Sequence, residues 1–410
     1  MVPPSVMYYD SNSPNEQPVS LPSARPIFLS ETVVLQPPLT RRGTGPGIIL
    51  VLPHTEDLNL RSKGTPPLDP EPVQKWAEEG FVVAAITPDS PDWSFEQPRT
   101  RCIDALLGLK ELDTREKFAV IVYEPKAAPS VMAAVFADPR IVALVLHGYP
   151  PSAGSISTPT LVHLPAESKP GAASSIMSSH TYPCTSPHFI LPQVAEYDPG
   201  SAAVAHSRSL VFLRKWLGGP TFDLEAIWDE HTYFEFAERS VAKTMGTMVA
   251  EPYVNHVPTM TGGVGRENLT AFYRDHFIFS NPSDLEMQTI SRTVGPDRVV
   301  DEFILSLTHD KAVDWLLPGV PPTGKKLTIP MLAVVNIRGD RLYNEHIWWD
   351  QATVLRQAGI LPTYMPYPTP EGNRSLRLPV AGAECAAMLV DEANGTSNAM
   401  FGDDWGLQTA

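Results

Sequence analysis

The sequence predicts two domains, an α/β domain built on a parallel sheet and then an α+β domain. Three observations predict them. The 410 residues exceed what one core ordinarily organises. Short apolar runs alternate with short helical segments as far as Gly219. Beyond Gly219-Pro220 the order changes, with helical segments first and long strand-like runs afterwards.

In chain order, residues 1–45 are rich in Pro, Ser and Asn and are expected to form an arm outside the core. The α/β domain is expected over 46–220. Gly47 to Pro53 is a short continuous apolar run, as in a strand buried on both faces. A helix from Val73 stops at Gly80, and a strand follows from Phe81. Further strands are expected at 118–123, 141–147 and 160–164, with helices at 102–112 and 130–137 between them. The helix from Ala202 to Leu217 carries Leu210, Leu213 and Leu217 on one stripe and ends at Gly218-Gly219-Pro220. The α+β domain is expected over 223–362. Helical segments at 223–249 and 268–277 precede strands at 298–309, 326–337 and 342–349, the last two joined by the hairpin signal Arg338-Gly339-Asp340-Arg341. Residues 363–410 are expected to be a polar tail with one short helix near 384–391.

Composition narrows the function. The net charge of −15 argues against nucleic-acid binding, which needs clustered Lys and Arg against phosphates. With 43% hydrophobic and 19% charged residues, the chain can bury two cores. Cys102, Cys184 and Cys385 are too few and too scattered for a disulfide framework or a cysteine-rich metal site, which fits a reducing, cytoplasmic setting. The first twenty residues lack a basic region followed by an apolar stretch, so no secretory leader is expected. No run of about 18 apolar residues occurs, so no membrane span is expected. The sequons at Asn268, Asn373 and Asn394 then read as chance matches.

In an α/β sheet of this kind a nucleophile often sits on the sharp turn after a central strand, flanked by small residues. Here that turn reads VYEPKAAPSVMAA. Residues 47–219 resemble the dienelactone hydrolase family, whose turn reads like G-Y-C-x-G-G and implies an α/β hydrolase-like fold. Glu124 stands at the family's cysteine, and Lys126 and Ala127 replace the glycines. Ser168 stands where an acid is expected, and His188 in YPCTSPHF is the remaining histidine. These vestigial positions point to a domain that has lost its nucleophile and keeps a structural or docking role.

The second domain is more informative. YVNHVPTMTGGVGRENLTAFYRDHF, and PGVPPTGKK followed by two strands, WDQ and a Q-x-G helix, resemble the SnoaL-like polyketide cyclases. That resemblance implies the conical α+β nuclear-transport-factor-2-like fold and a pocket working without metal or cofactor. In Asn344-Glu-His-Ile-Trp-Trp-Asp350, residues Asn344, His346, Trp348 and Asp350 share one strand face. An amide, an imidazole, an indole and a carboxylate together suit a ligand pocket. The resemblance makes Asp350 the acid/base for an enolisable substrate, and His346, on the same strand face, is expected to assist it. The competing reading makes Asp350 the N-cap of the helix after it. His256, His309 and Glu302 are further pocket candidates, with Asp301 then facing away. His231 and His276, in helical segments, are read as structural. With neither His-x-His nor H-E-x-x-H present, no metal site is expected.

Three functions remain. The leading one is cofactor-independent cyclisation or isomerisation of a polyketide-like, carbonyl-bearing small molecule. The others are lactone or ester hydrolysis by the first domain, and a non-enzymatic binding module forming a homodimer through the second.

Overall fold

The computed structural model describes residues 7–62, 67–90, 92–152, 157–168 and 175–408. It divides into two compact units, Pro22–Asp223 with Arg338–Asp340, and Met1–Leu21 with Leu224–Ile337 and Arg341–Ala410. No helix among the described residues is long and apolar enough to cross a membrane.

The first unit is an eight-stranded mixed sheet. Its strands are β1 (Ile27–Ser30), β2 (Val33–Gln36), β3 (Gly45–Val51), β4 (Val82–Ile86), β5 (Leu112–Val122), β6 (Ile141–His147), β7 (Thr160–Pro165) and β8 (Met177–Tyr182). They lie in the order β1-β2-β4-β3-β5-β6-β7-β8, with β2 antiparallel to both its neighbours and β4 to β8 mutually parallel with β3. Alternation along the central strands builds two cores. Ile49, Val51, Phe118 and Val120 pack with Cys102, Ile103 and Leu106 of α2 (Glu96–Leu107) and Val131 of α3 (Ala128–Phe136). Ile48, Leu50, Ala119 and Ile121 face the other way, towards Trp76 of α1 (Pro72–Glu78) and Leu210, Leu213 and Leu217 of α4 (Pro199–Leu217). Both faces are covered, which is why these strands read as unbroken apolar runs. Gly218 ends α4 in the left-handed region, at φ +82°.

Two expectations change here. The arm over 1–45 is not one element: β1 and β2 form a hairpin in this sheet, with Val33 and Leu35 buried. Met1–Leu21 belongs to the second unit instead, where the Glu16 carboxylate accepts from the backbone of Val241 (3.0 Å) and Ala242 (2.9 Å). The proline-rich composition concealed four-residue strands too short to show a period. Edge strand β8 was likewise hidden by its polar sequence, MSSHTY.

The second unit is a six-stranded sheet packed with helices. In chain order come α5 (Leu224–Thr232), a π-helical turn (Tyr233–Ala237), α6 (Val241–Gly246), β9 (Met248–His256), β10 (Thr261–Val264), α7 (Arg266–Phe272) and a second π-helical turn (Tyr273–Phe277). Then follow β11 (Glu286–Val294), β12 (Arg298–Thr308), β13 (Lys326–Arg338), β14 (Arg341–Trp349) and α8 (Gln351–Gln357). The strand order is β10-β9-β14-β13-β12-β11. The mostly helical stretch expected over 223–249 is broken: Ser240 caps a new helix and a strand begins at Met248. β9 pairs in parallel with β14, so the sheet is not wholly antiparallel.

The expected tail also carries structure. β15 (Tyr364–Thr369), β16 (Gly372–Arg377) and β17 (Gly406–Leu407) form a small antiparallel sheet, and α9 spans Glu384–Val390. Strand side chains exposed on both faces left no apolar pattern to read there.

Candidate functional site

Helix α5 buries Leu224, Ile227, Trp228 and His231, an i, i+3, i+4, i+7 stripe facing the sheet. The π-helical turn then widens the chain, and Glu235 comes in below His231 as the next buried residue. From the opposite wall, β14 contributes Glu345, and the second π-helical turn contributes Tyr273.

These four groups meet at one nitrogen. His231 Nδ1 lies 2.6 Å from Thr247 Oγ1, whose own hydroxyl donates to the Thr244 carbonyl at 2.7 Å. The hydroxyl proton is thus committed, so Nδ1–H is the donor of that pair. His231 Nε2 then faces Glu235 Oε1 at 3.1 Å, Glu345 Oε1 at 3.2 Å and Tyr273 Oη at 3.3 Å. Burial by itself would lower the pKa of His231. The carboxylates of Glu235 and Glu345 outweigh that and raise it to about 10, so the ring is an imidazolium at neutral pH. Burial raises the Glu345 carboxyl above the usual carboxylate range, although the imidazolium opposes this.

This polar pole sits at a cavity of about 210 Å³, more than the ~150 Å³ that admits benzene. Glu235, Tyr273 and Glu345 line it, and its walls include Phe236, Phe277, Phe303, Leu305, Trp315 and Met331. A second polar group lies farther along. The buried Asp301 accepts from Trp228 Nε1 at 2.7 Å and from Arg292 Nε and Nη2 at 2.7 and 2.8 Å. Trp228 also stacks on His231, with ring centroids 5.7 Å apart, and so links the two groups. A bulge in β11 between Thr289 and Ser291 shifts the alternation and turns Arg292 to the cavity.

His256 also lines the cavity. Its Nδ1 donates to the Thr261 carbonyl at 3.3 Å, and burial lowers its pKa to about 3, leaving a neutral ring whose Nε2 is an acceptor.

The other candidates move. On β14 the cavity takes Glu345 and Ile347; Asn344, His346 and Trp348 belong to the opposite face. Trp348 is 47% exposed, His346 packs edge-on against Tyr253, and Asn344 accepts from Asn336 Nδ2. Asp350 is exposed beyond the strand and caps α8, accepting from Ala352 N at 3.0 Å and Thr353 Oγ1 at 2.7 Å. The helix-cap reading describes its geometry, and the pocket face was assigned one residue out of register. The same slip affects β12, where Asp301 lines the cavity and Glu302 turns away to accept from Ser291 Oγ at 2.9 Å. His309 is buried off the cavity against Thr323, with Nδ1 accepting from Thr323 N at 3.3 Å. Reading the helical His231 as structural passed over the centre of the site. The available signal was its place on an apolar stripe four residues before a carboxylate.

In the first unit, Glu124, Ser168 and His188 follow the ends of the parallel strands β5, β7 and β8 and so lie towards one end of the sheet. Glu124 is buried, at φ −97° and ψ 104°, and its carboxylate accepts from Lys126 N at 2.9 Å. That is relaxed extended backbone, not the strained turn that presents a nucleophile. Burial lowers the pKa of His188, and the Glu124 carboxylate pulls it the other way. Ser168 closes a turn, its N donating to Pro165 O at 3.1 Å.

The comparisons bear on the second unit. Residues 230–358 match the SnoaL-like polyketide cyclase family. The second unit therefore carries a SnoaL-like domain, and the cavity and its polar pole lie within or immediately beside the matched stretch. Among solved structures, a candidate SnoaL-like polyketide cyclase from Jannaschia sp. CCS1 is 19% identical, covering 35% of this chain and 100% of its own at a TM-score of 0.28. A protein of ketosteroid isomerase-like fold from Catenulispora acidiphila DSM 44928 is 14% identical, covering 34% and 97% at a TM-score of 0.27. An NTF2-like protein from Burkholderia thailandensis E264 is 13% identical, covering 35% and 100% at a TM-score of 0.27. No curated protein matches the chain.

Proposed function

We propose that the SnoaL-like domain is a cyclase or isomerase that moves protons on a small, enolisable carbonyl compound held in its apolar cavity. One observation carries the reading: two buried carboxyl groups share a buried imidazolium at the wall of that cavity. Burial holds the Glu345 carboxyl above the usual carboxylate range, which suits it to act as the acid that donates to the substrate carbonyl. Glu235, held by His231, takes the proton from the adjacent carbon. The electron pair of that C–H bond moves into the enol, and His231 cancels the charge left on the carboxylates. Tyr273 and the neutral His256 orient the ligand. The apolar walls exclude water and strengthen each of these interactions.

The test is exchange of α-hydrogen for deuterium in a panel of β-diketones and polyketide-like esters, followed by NMR in D₂O. Glu235→Gln and Glu345→Gln are each expected to slow exchange by about 10²- to 10⁴-fold. Full exchange in both variants would sink the reading.

The first unit is proposed to be a dienelactone hydrolase-like scaffold without its own hydrolytic chemistry. The strand order and the relaxed backbone at Glu124 support this. Ester hydrolysis abolished specifically by Glu124→Gln would overturn it.

A further inference from the structure

We propose that His231, Glu235 and Glu345 hold a divalent transition-metal ion of the zinc or manganese class, with an open coordination position facing the cavity. One ligand atom from each of the three residues falls within 4.8 Å of the others, and all three residues are buried. Nε2 lies 3.1 and 3.2 Å from the two carboxylate oxygens. Ligands about 2.1 Å from a common ion at tetrahedral angles stand about 3.4 Å apart, so a small displacement of each side chain seats the ion.

Hydrogen bonding accounts poorly for the cluster. Nε2 carries at most one hydrogen, yet three oxygens converge on it within 3.3 Å. Glu345 is 3% exposed, and its Oε1, beside the cavity, makes no hydrogen bond of acceptable geometry. A buried acceptor left in that state is costly, and a cation supplies the missing partner. Two carboxylates and a neutral imidazole sum to the charge that one divalent ion cancels. The Thr247 contact at Nδ1 fixes the ring so that Nε2 points at the carboxylates, as the outer contact of a ligating histidine does. One imidazole nitrogen with two carboxylates favours zinc or manganese over magnesium, which prefers an all-oxygen set.

This assignment goes beyond the proposed reaction and is read without substrate. Full-length protein stripped with a chelator is titrated with Zn²⁺, Mn²⁺ and Mg²⁺ by calorimetry. One Zn²⁺ or Mn²⁺ per chain is expected, weakened roughly tenfold or more by Glu235→Gln or Glu345→Gln and unchanged in Glu302→Gln on the opposite sheet face. No saturable binding at one equivalent, or equal binding in both cavity variants, overturns it. If a variant does not fold, Co²⁺ on the native chain decides. A four- or five-coordinate visible spectrum with one paramagnetically shifted imidazole N–H supports the site, and a six-coordinate aqueous spectrum rejects it. With the ion bound, Glu345 is engaged as a ligand, so Zn²⁺ is expected to suppress α-hydrogen exchange. An ion that binds and accelerates exchange keeps this site and removes direct proton transfer by Glu345.

Discussion

Glu345 and Asp350 stand five positions apart, yet their surroundings give two carboxylates opposite chemistry. Glu345 is enclosed with His231 and Glu235, while Asp350 sits in solvent and satisfies the first turn of α8. Loss of an Asp N-cap typically costs about 1 kcal/mol. Asp350→Ala is therefore expected to lower the second unit's stability by about that amount and to leave α-hydrogen exchange within a few-fold of the native chain. Thermal unfolding and the deuterium assay, run on the same preparation, check both halves. A large loss of exchange with an unchanged melt would return Asp350 to the catalytic role.

At the scale of elements, two π-helical turns and one β-bulge place the site. Tyr233–Ala237 brings Glu235 and Phe236 to the cavity, and Tyr273–Phe277 brings the residues at its two ends. A π-turn inserts a residue into helical phase, so removing one should restore the α-helical register and rotate the residues after it by about 100°. Tyr233 is 55% exposed, which makes it the residue to delete. The deletion is expected to preserve helix content by circular dichroism and abolish exchange, because Glu235 no longer meets His231. Retained exchange would show that the turn does not set the geometry.

At the scale of the whole molecule, buried histidines give the two units different responses to pH. His231 holds its proton up to about pH 10, whereas an unfolded chain releases it near 6.5. The folded second unit thus binds an extra proton between those values, so its stability is full below about 6.5 and is lost as pH rises towards 10. Glu345, also raised, acts in the same direction. In the first unit His147 is lowered to about 3 and His163 well below its ordinary value, both through burial in a ring stack. There the unfolded chain binds more protons below about 6.5, so stability is present above that value and falls as pH drops towards 3. Calorimetry is expected to show the second unit's transition moving down from about pH 7 to about pH 10 while the first unit's holds, with Glu345→Gln flattening the alkaline slope. Parallel movement of both transitions over that range would contradict the assignment.

What the residues determined by themselves was local and periodic. Unbroken apolar runs such as Ile48 to Val51 marked strands covered on both faces, and the glycines after Leu217 marked where α4 stops. The stretch from Tyr253 to Leu361 carried the likeness to SnoaL-like cyclases, which the match over 230–358 bears out. Alternation along β12 and β14 also sorted their residues correctly into two sets. Which set faces the cavity was decided by tertiary structure, because a period of two is the same from either side of a sheet. The face with Asn344, His346 and Trp348 looked chemically richer, but polar and aromatic groups also suit an outer surface. The cluster itself joins His231 and Glu235 on one helical segment to Glu345, more than a hundred positions later, through a π-turn that no periodicity announces. Pairing at that separation is a property of the packed chain, since only the fold removes these groups from water and makes them share their protons.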